Sequence, residues 1–184
     1  MDNGASSYRR FLSGDKAALV DIISEYREGL VLYINSLLND FCTAEEIAEE
    51  VFIKLYVGKP KFSEKCTFRT WLYTIGRNTA IDHIRKSSKV KEKSIDDFYD
   101  LADKDNIETS YIKDEDKKVL YKALEQLSDE YRQVLHLVYF EGFTNTETAI
   151  IMRKSERQIR NLLYRSKGAL KKILGKEGVS YEQL

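Results

Sequence analysis

The chain has 184 residues, enough for one medium domain or two small helical ones, with 33% charged residues, nine glycines and a single proline. It lacks the regular turn clusters that a β-sandwich or barrel needs, so its composition favours an all-α fold. The formal net charge is zero, from 30 basic and 30 acidic residues, and this argues against a nucleic-acid-binding protein unless the charges are segregated along the chain.

Neither a membrane protein nor a disulfide scaffold is indicated. The densest apolar run, VLHLVYF at 134–140, is far too short to span a bilayer, and no long apolar segment follows the first charges. Cys42 and Cys66 stand apart from any CxxC or histidine pair, so no zinc site is indicated. We expect a cytoplasmic protein with no membrane insertion.

The first part of the chain, about residues 8–86, has apolar residues at the spacing of an amphipathic helix or a pair of helices. This repeat consists of Leu19, Ile22, Ile23, Tyr26, Leu30, Tyr33, Ile34, Leu37 and Leu38. Thr43 and Glu46 then have the spacing of a capping box, with Thr43 as the N-cap. The helix that follows has an apolar stripe of Ile47, Val51 and Leu55, opposite the acidic side chains of Glu45, Glu49 and Glu50.

The stretch FRTWLYTIGRNTAIDHIRK, residues 68–86, combines aromatic rings, arginines and an asparagine. Its first apolar stripe, formed by Phe68, Trp71, Leu72 and Ile75, spans about 100° of a helical wheel, but further along the same stripe becomes polar. We therefore predict that the helix breaks near Gly76 or changes the face that it buries. Aromatic rings, an amide and cations are suited to holding single-stranded DNA. The alternative is an ordinary amphipathic helix with Trp71 in the core.

Charges are segregated into blocks. The segments from Ile53 to Lys93 and from Arg153 to Lys176 are basic, while SIDDFYDLADKDNIETSYIKDED between them is acidic. Like charges at this density repel and bury little apolar surface, so we expect Ser87 to Asp116 to be extended or only locally ordered. The sequence thus predicts an all-α protein of two small helical domains, 8–88 and 117–176, joined by an acidic flexible linker, 89–116.

The second domain has the pattern of a helix-turn-helix. Thr144 with Glu147, and Ser155 with Gln158, form two capping boxes that bound a short helix, a tight turn and a longer helix. Gly142 is expected to end the helix before them. The second helix of this motif normally enters the major groove. Its inner stripe is Ile159, Leu162, Leu163, Leu170, Ile173 and Leu174, and its outer face presents Glu156, Arg157, Gln158, Arg160, Asn161, Arg165 and Lys171.

Together these motifs, in this order, resemble a bacterial RNA polymerase sigma factor of the extracytoplasmic-function group of the sigma-70 family. The resemblance extends from about Tyr8 to Leu174. TAEEIAEEVFIKLY resembles the helix that binds the polymerase clamp, and FRTWLYTIGRNTAIDHIRK resembles the helix that melts and recognises the minus-10 element. GFTNTETAIIMRKSERQIRNLLYRSKGAL resembles the helix-turn-helix that recognises the minus-35 element.

The resemblance implies a set of site residues, position by position. The polymerase-facing or supporting residues would be Glu46, Glu49, Glu50 and Phe52. The residues at the opened minus-10 strand would be Trp71, Tyr73, Arg77, Asn78, Arg85 and Lys86. The residues at the minus-35 duplex would be Arg157, Gln158, Arg160, Asn161 and Arg165. In the family the linker passes through the polymerase near its active centre, which the acidity of the linker suits.

The chain departs from the family pattern at a few positions. Thr43 and Glu49 stand where Asp and Gln are common, and Ser128 follows Leu127 where Pro is common. Thr148 stands where an aliphatic residue usually packs, a change that would loosen the first helix of the motif or alter its packing.

The partners that the resemblance implies are core RNA polymerase and promoter DNA; whether an anti-sigma factor also binds is not revealed. We expect no cofactor, no metal and no covalent chemistry, because no P-loop, GxSxG or HExxH motif is present. Two alternatives stay open. One is a helix-turn-helix regulator that acts without polymerase, and the other is a DNA-processing enzyme such as a recombinase subunit. Co-elution with core polymerase would favour the sigma factor, and its absence would favour the regulator.

Overall fold

The computed structural model describes residues 3–93 and 115–176, and every regular element within these ranges is helical. The chain divides into two compact units, Met1–Asp105 and Asn106–Leu184. The all-α fold class is confirmed. The helices of the first unit are α1 (Asn3–Leu12), α2 (Ala17–Leu38), α3 (Phe41–Gly58) and α4 (Phe68–Lys93). Those of the second are α5 (Glu115–Glu125), α6 (Asp129–Leu135), a π-helical turn (His136–Phe140), α7 (Asn145–Met152) and α8 (Glu156–Lys176).

Helix α2 is the centre of the first unit, because α1, α3 and α4 all pack against it. It is a single helix whose predicted apolar stripe supplies the fully buried Ile22, Leu30 and Ile34. The predicted stripe of α3 is buried against it, with Val51 and Leu55 both inaccessible to solvent. Burying a side chain of this size stabilises the fold by about 1.5–3 kcal/mol, so α2 holds the other three helices in place.

The start of α3 differs from the prediction. The N-cap is Asp40 rather than Thr43, and its carboxylate accepts hydrogen bonds from both the backbone N–H and the hydroxyl of Thr43, at 3.1 and 2.8 Å. The backbone N–H bond is the main cause that lowers the pKa of Asp40. Asp and Thr are both good N-caps. Here Asn39, with a left-handed φ of 54°, ends α2 and leaves Asp40 as the first residue that can cap α3.

Helix α4 is continuous, so the predicted break or change of face near Gly76 is wrong. One side stays buried along the first three turns, through Phe68, Leu72, Gly76 and Ala80. A Cβ atom at Gly76 would lie 2.7 Å from Leu30 Cδ1, so the glycine lets α4 approach α2 closely. The helix also continues to Lys93, into the segment that was expected from Ser87 onward to be extended or only locally ordered. Residues 94–114, which hold most of the predicted acidic linker, lie outside the described residues.

The second unit contains the predicted helix-turn-helix as α7 and α8. Thr144 caps α7 in a reciprocal box with Glu147. Ser155 and Gln158 form the same arrangement at the start of α8, with backbone-to-side-chain hydrogen bonds of 2.7 and 3.2 Å. Both predicted boxes are confirmed. Gly142 has a φ of +69° directly after the preceding helix, as expected for a residue that ends it.

Within the described residues, no helix is long and apolar enough to cross a membrane.

Candidate functional site

The outer face of α3 presents the three predicted glutamates to solvent. Glu46, Glu49 and Glu50 are all exposed. Glu50 pairs with Lys54 one turn later at 2.8 Å, and Arg27 of α2 reaches Glu49 at 3.7 Å. Exposed pairs of this kind contribute little to stability, about 0–1 kcal/mol. The carboxylates therefore remain available to a partner.

An exposed apolar patch continues the same face of α3, and the sequence analysis missed it. Ile53 is 60% exposed and Val57 is 73% exposed. Both lie on the helical face of Glu46 and Glu50, because they follow at intervals of three and four residues. Phe52, by contrast, is buried and supports the helix from inside. The signal available in the sequence was the isoleucine and valine outside the apolar stripe of Ile47, Val51 and Leu55.

Trp71, Asn78 and Arg85 lie along one face of α4. Successive members are seven residues apart, which on a continuous helix leaves an offset of only about 20° per step. Trp71 and Asn78 are partly exposed, and Arg85 and Lys86 are exposed near the end of this segment. Arg85 lies 3.6 Å from Asp82, one turn earlier. This face thus offers a ring, an amide and a cation in a row, which is a suitable set for an unstacked nucleic-acid strand.

Trp71 is half-buried in a cluster of aromatic rings. Its ring centroid lies 5.4 Å from that of Tyr8 in α1, 5.1 Å from that of Phe62 in the loop before α4, and 5.5 Å from that of Phe68. These are ordinary separations for tilted aromatic pairs. The indole therefore has one side held by protein and keeps another that a partner can reach.

Tyr73 is a core residue, which contradicts its predicted place at the opened strand. Its side chain is 1% exposed and stacks on Tyr33 of α2, with ring centroids 5.4 Å apart. The guanidinium of Arg69 lies over the ring of Tyr73, 5.4 Å from its centroid. A base cannot stack on a ring that is covered in this way. Arg77 is partly exposed and lies on the helical face next to the one that carries Trp71.

A pocket opens next to the aromatic cluster, between α1 and the loop before α4. Arg9, Phe62, Glu64 and Cys66 are among the residues that line it. Arg9 and Glu64 form an ion pair across it at 3.0 Å. Phe62 belongs both to the pocket wall and to the rings around Trp71, so the pocket adjoins the aromatic cluster.

Helix α8 presents the predicted basic face. Arg157, Gln158, Arg160, Asn161 and Arg165 are all exposed. Glu156 orients this end of the helix, because it accepts a hydrogen bond from Thr146 of α7 at 2.9 Å and lies 3.5 Å from Arg160. A depression beside α8 and the turn before it is lined by Lys154, Gln158, Asn161, Leu162 and Arg165.

Two details of this face were not predicted. Gln158 uses its carbonyl oxygen to accept the Ser155 N–H, so only its NH₂ group is left as a donor to DNA. Tyr164 is 82% exposed in the middle of the basic face, between Arg160 and Arg165. An aromatic side chain so exposed between cations is a candidate contact to DNA. Its position on the helical wheel, opposite the inner stripe, was the signal that could have identified it.

Comparisons with known families divide the chain as its motifs do. The Sigma-70 region 2 model matches residues 9–90, and the model of Sigma-70, region 4 matches residues 117–170. The chain is 28% identical to RNA polymerase sigma-H factor of Pseudomonas aeruginosa over 90% of both chains. It is also 28% identical to the ECF RNA polymerase sigma factor SigW of Bacillus subtilis, over 88% of this chain and 91% of that protein.

Solved structures share the fold. One is the sigma factor RpoE of Bartonella quintana in complex with the anti-sigma factor NepR, with a TM-score of 0.69, 22% identity, and coverage of 84% of this chain and 95% of that one. Another is CnrH in complex with the cytosolic domain of CnrY, with a TM-score of 0.64, 16% identity, and coverage of 95% and 96%.

Proposed function

The chain belongs to the extracytoplasmic-function group of the sigma-70 family, and from this premise we propose that three of its surfaces divide the work of a sigma factor. A sigma factor binds core RNA polymerase and directs it to begin transcription at specific promoters. The three surfaces are the outer face of α3, the Trp71 face of α4 and the basic face of α8. Their work is binding rather than covalent chemistry, and it takes place where polymerase and promoter DNA are, in the cytoplasm.

The outer face of α3 is proposed to bind core polymerase. The observation that carries this proposal is the continuity of exposed Glu46 and Glu50 with exposed Ile53 and Val57 on one helical face. An apolar centre flanked by charge is the usual composition of a protein interface, and it does not suit DNA, which repels carboxylates. Glu49 lies at the edge of this surface, and Phe52 supports it.

The Trp71 face of α4 is proposed to hold the opened strand of the minus-10 element. Unstacking a base costs a few kcal/mol, and stacking on an aromatic side chain returns about 1–3 kcal/mol per base. Asn78 offers an amide to a base edge, and Arg85 and Lys86 offer cations to phosphates. Arg77 is proposed to contact the strand from the adjacent face.

The basic face of α8 is proposed to bind the minus-35 duplex. Arg157, Arg160 and Arg165 are suited to guanine edges or phosphates, and Asn161 and the NH₂ group of Gln158 to base edges. Tyr164 joins this set. An anti-sigma factor, of the kind bound to the Bartonella relative, is a candidate further partner that would compete for one of the three surfaces.

The polymerase face is tested by placing a charge in its apolar patch. Val57→Glu should weaken binding to core polymerase by about tenfold or more, as a change at an interface centre does, with little effect on folding because Val57 is 73% exposed. Val20→Glu is the matched control, since Val20 is 61% exposed on α2 and outside the α3 face. Co-elution and promoter-specific transcription measure the effect.

Equal loss of polymerase binding in both variants would show that α3 is not the contact. Failure of the unmodified chain to co-elute with core polymerase would instead favour the regulator that acts through its helix-turn-helix alone.

A further inference from the structure

We propose that Tyr8 of α1 is a positioning residue that sets the orientation of Trp71 and of the adjoining loop, residues 59–67, for capture of the opened strand. This proposal rests on the function proposed for the Trp71 face. Tyr8 itself is 1% exposed and so does not meet DNA; it acts through the groups that it contacts.

Tyr8 contacts the loop through its hydroxyl and Trp71 through its ring. The hydroxyl donates a hydrogen bond of 2.7 Å to the carbonyl oxygen of Pro60, 52 residues away in sequence. The ring lies 5.4 Å from the rings of both Trp71 and Phe68. The side chain of Tyr8 therefore connects Pro60, at the start of the loop, to Trp71, at the start of the α4 face.

The hydroxyl is a dependable donor. A tyrosine hydroxyl is protonated at neutral pH, and burial raises the pKa of Tyr8 further, to about 12. The acceptor belongs to the chain's only proline, whose restricted φ makes the loop stiff at this point. A hydrogen bond at such a position transmits the placement of α1 to the loop.

Helix α1 is itself firmly placed against this region. A Cβ atom at Gly4 would lie 2.5 Å from Phe68 Cδ1 and 2.6 Å from Tyr26 Oη, so the glycine allows α1 to rest directly on these rings. At the other end of the loop, Arg9 pairs with Glu64, whose φ of 55° is unusual for a residue with a side chain. The loop is thus tied to α1 at Pro60 and at Glu64.

The tie between α1 and the Trp71 face therefore runs through the buried Tyr8 and through the loop that it holds. It predicts that α1 influences strand opening although Tyr8 itself has no surface for DNA.

The test uses Tyr8→Phe, which removes the hydroxyl and keeps the ring. Trp71 is the only tryptophan, so intrinsic fluorescence reports its surroundings directly. We expect a shifted emission maximum and a fall in permanganate reactivity of the opened minus-10 thymines by about two- to tenfold, the change equivalent to one net hydrogen bond. Affinity for core polymerase and for the minus-35 duplex should not change.

Ile22→Val is the control for stability. It removes one buried methylene from α2, at a cost of about 0.5–1.5 kcal/mol, similar to the loss of one hydrogen bond, and Ile22 belongs to none of the three surfaces. It should leave the Trp71 emission and strand opening as they are in the unmodified chain. If it alters both as Tyr8→Phe does, the effect is general destabilisation and the proposal is wrong.

A double variant separates this proposal from the proposed function. In a Trp71→Ala background, Tyr8→Phe should cause no further loss of opening, because the loop held by the Tyr8 hydroxyl acts on the strand through Phe62, which packs against Trp71. Full additivity, or a Tyr8→Phe chain with unchanged emission or unchanged opening, would overturn the positioning role while leaving the function of α4 intact. If Trp71→Ala opens promoters normally with polymerase bound, the proposed function of α4 fails, and the positioning role fails with it.

Discussion

Thr148 carries a hydroxyl at a position where an aliphatic side chain was expected, and burying this hydroxyl lowers the stability of the fold. The side chain is fully buried in α7, and its Oγ1 has no hydrogen-bond partner among the described residues. A buried polar group without a partner destabilises the fold by about 1–3 kcal/mol. The helix is nevertheless intact, because its capping box and its packing against α8 hold it in place.

Replacing this hydroxyl with a methyl group should therefore stabilise the second unit. We expect Thr148→Val to raise its free energy of unfolding by about 1 kcal/mol, since the shape is kept and the unpaired oxygen is removed. Thr144→Val, at the start of the same helix, is a control that should change stability in the opposite direction. It removes the N-cap and should lower the free energy of unfolding by about 1 kcal/mol. Urea denaturation measures both. A destabilised Thr148→Val chain would mean that the hydroxyl has a partner.

On α4, the sequence predicted the burial of some individual side chains correctly and of others wrongly. The apolar spacing identified Phe68 and Leu72 as core correctly, but it ended their stripe near Gly76. The family resemblance, rather than the spacing, placed Tyr73 at the DNA. Glycine has no side chain to continue an apolar pattern, so the sequence shows a gap where the structure has a close helix contact, against Leu30. The burial of Tyr73 depends on its partner Tyr33 in α2, which lies outside any local window.

Helix boundaries depend on capping chemistry, and the two units differ in how well it could be predicted. In the second unit each cap has a single candidate, Thr144 or Ser155, and both predictions are confirmed. In the first unit Thr43, followed by Glu46, was the predicted cap, but the N-cap is Asp40, whose carboxylate accepts the Thr43 N–H. The choice is made by the left-handed Asn39 that ends α2, a backbone conformation that composition alone does not specify.

The assignment of Asp40 as N-cap leads to a prediction for α3. Asp40→Ala should lower the stability of the first unit by about 1 kcal/mol, whereas Asp40→Asn, which keeps an acceptor, should change it little. Because the hydrogen bond from the Thr43 N–H lowers the pKa of Asp40, its contribution is present above the unfolded-state pKa and is lost as the pH falls through the folded-state value. Acid titration of stability should be shallower in Asp40→Asn. Equal losses from Asp40→Ala and Asp40→Asn would contradict the assignment.

Across the whole molecule, the order of motifs identified the family more securely than any one of them. The aromatic helix alone left an ordinary core helix as a good alternative, and only its position before a doubly capped helix-turn-helix made a sigma factor the better interpretation. The apolar patch of Ile53 and Val57 could not be predicted in this way, because its exposure is decided by which side of α3 meets α2. Sequence periodicity shows that a side chain lies off the main stripe, and packing shows that nothing covers it.

Although the net charge is zero, the chain has two basic surfaces, so its affinity for DNA should fall as the salt concentration rises. If the α8 face neutralises phosphates, the logarithm of the affinity for the minus-35 duplex falls linearly with the logarithm of salt concentration, by about 0.9 per contacted phosphate. Arg160→Ala should reduce this slope by about 1 if Arg160 contacts a phosphate. If Arg160 contacts a base edge, the slope should not change, and the preference for the correct base pair over a wrong one should fall by about 1–3 kcal/mol.

Lys16→Ala is the control. It removes the same charge from an exposed position outside the proposed DNA surfaces and should change neither the slope nor the base preference. The measurement uses preassembled complexes with core polymerase, with polymerase binding checked at each salt concentration. Identical behaviour of Arg160→Ala and Lys16→Ala would show that net charge, rather than the α8 face, governs binding to the duplex.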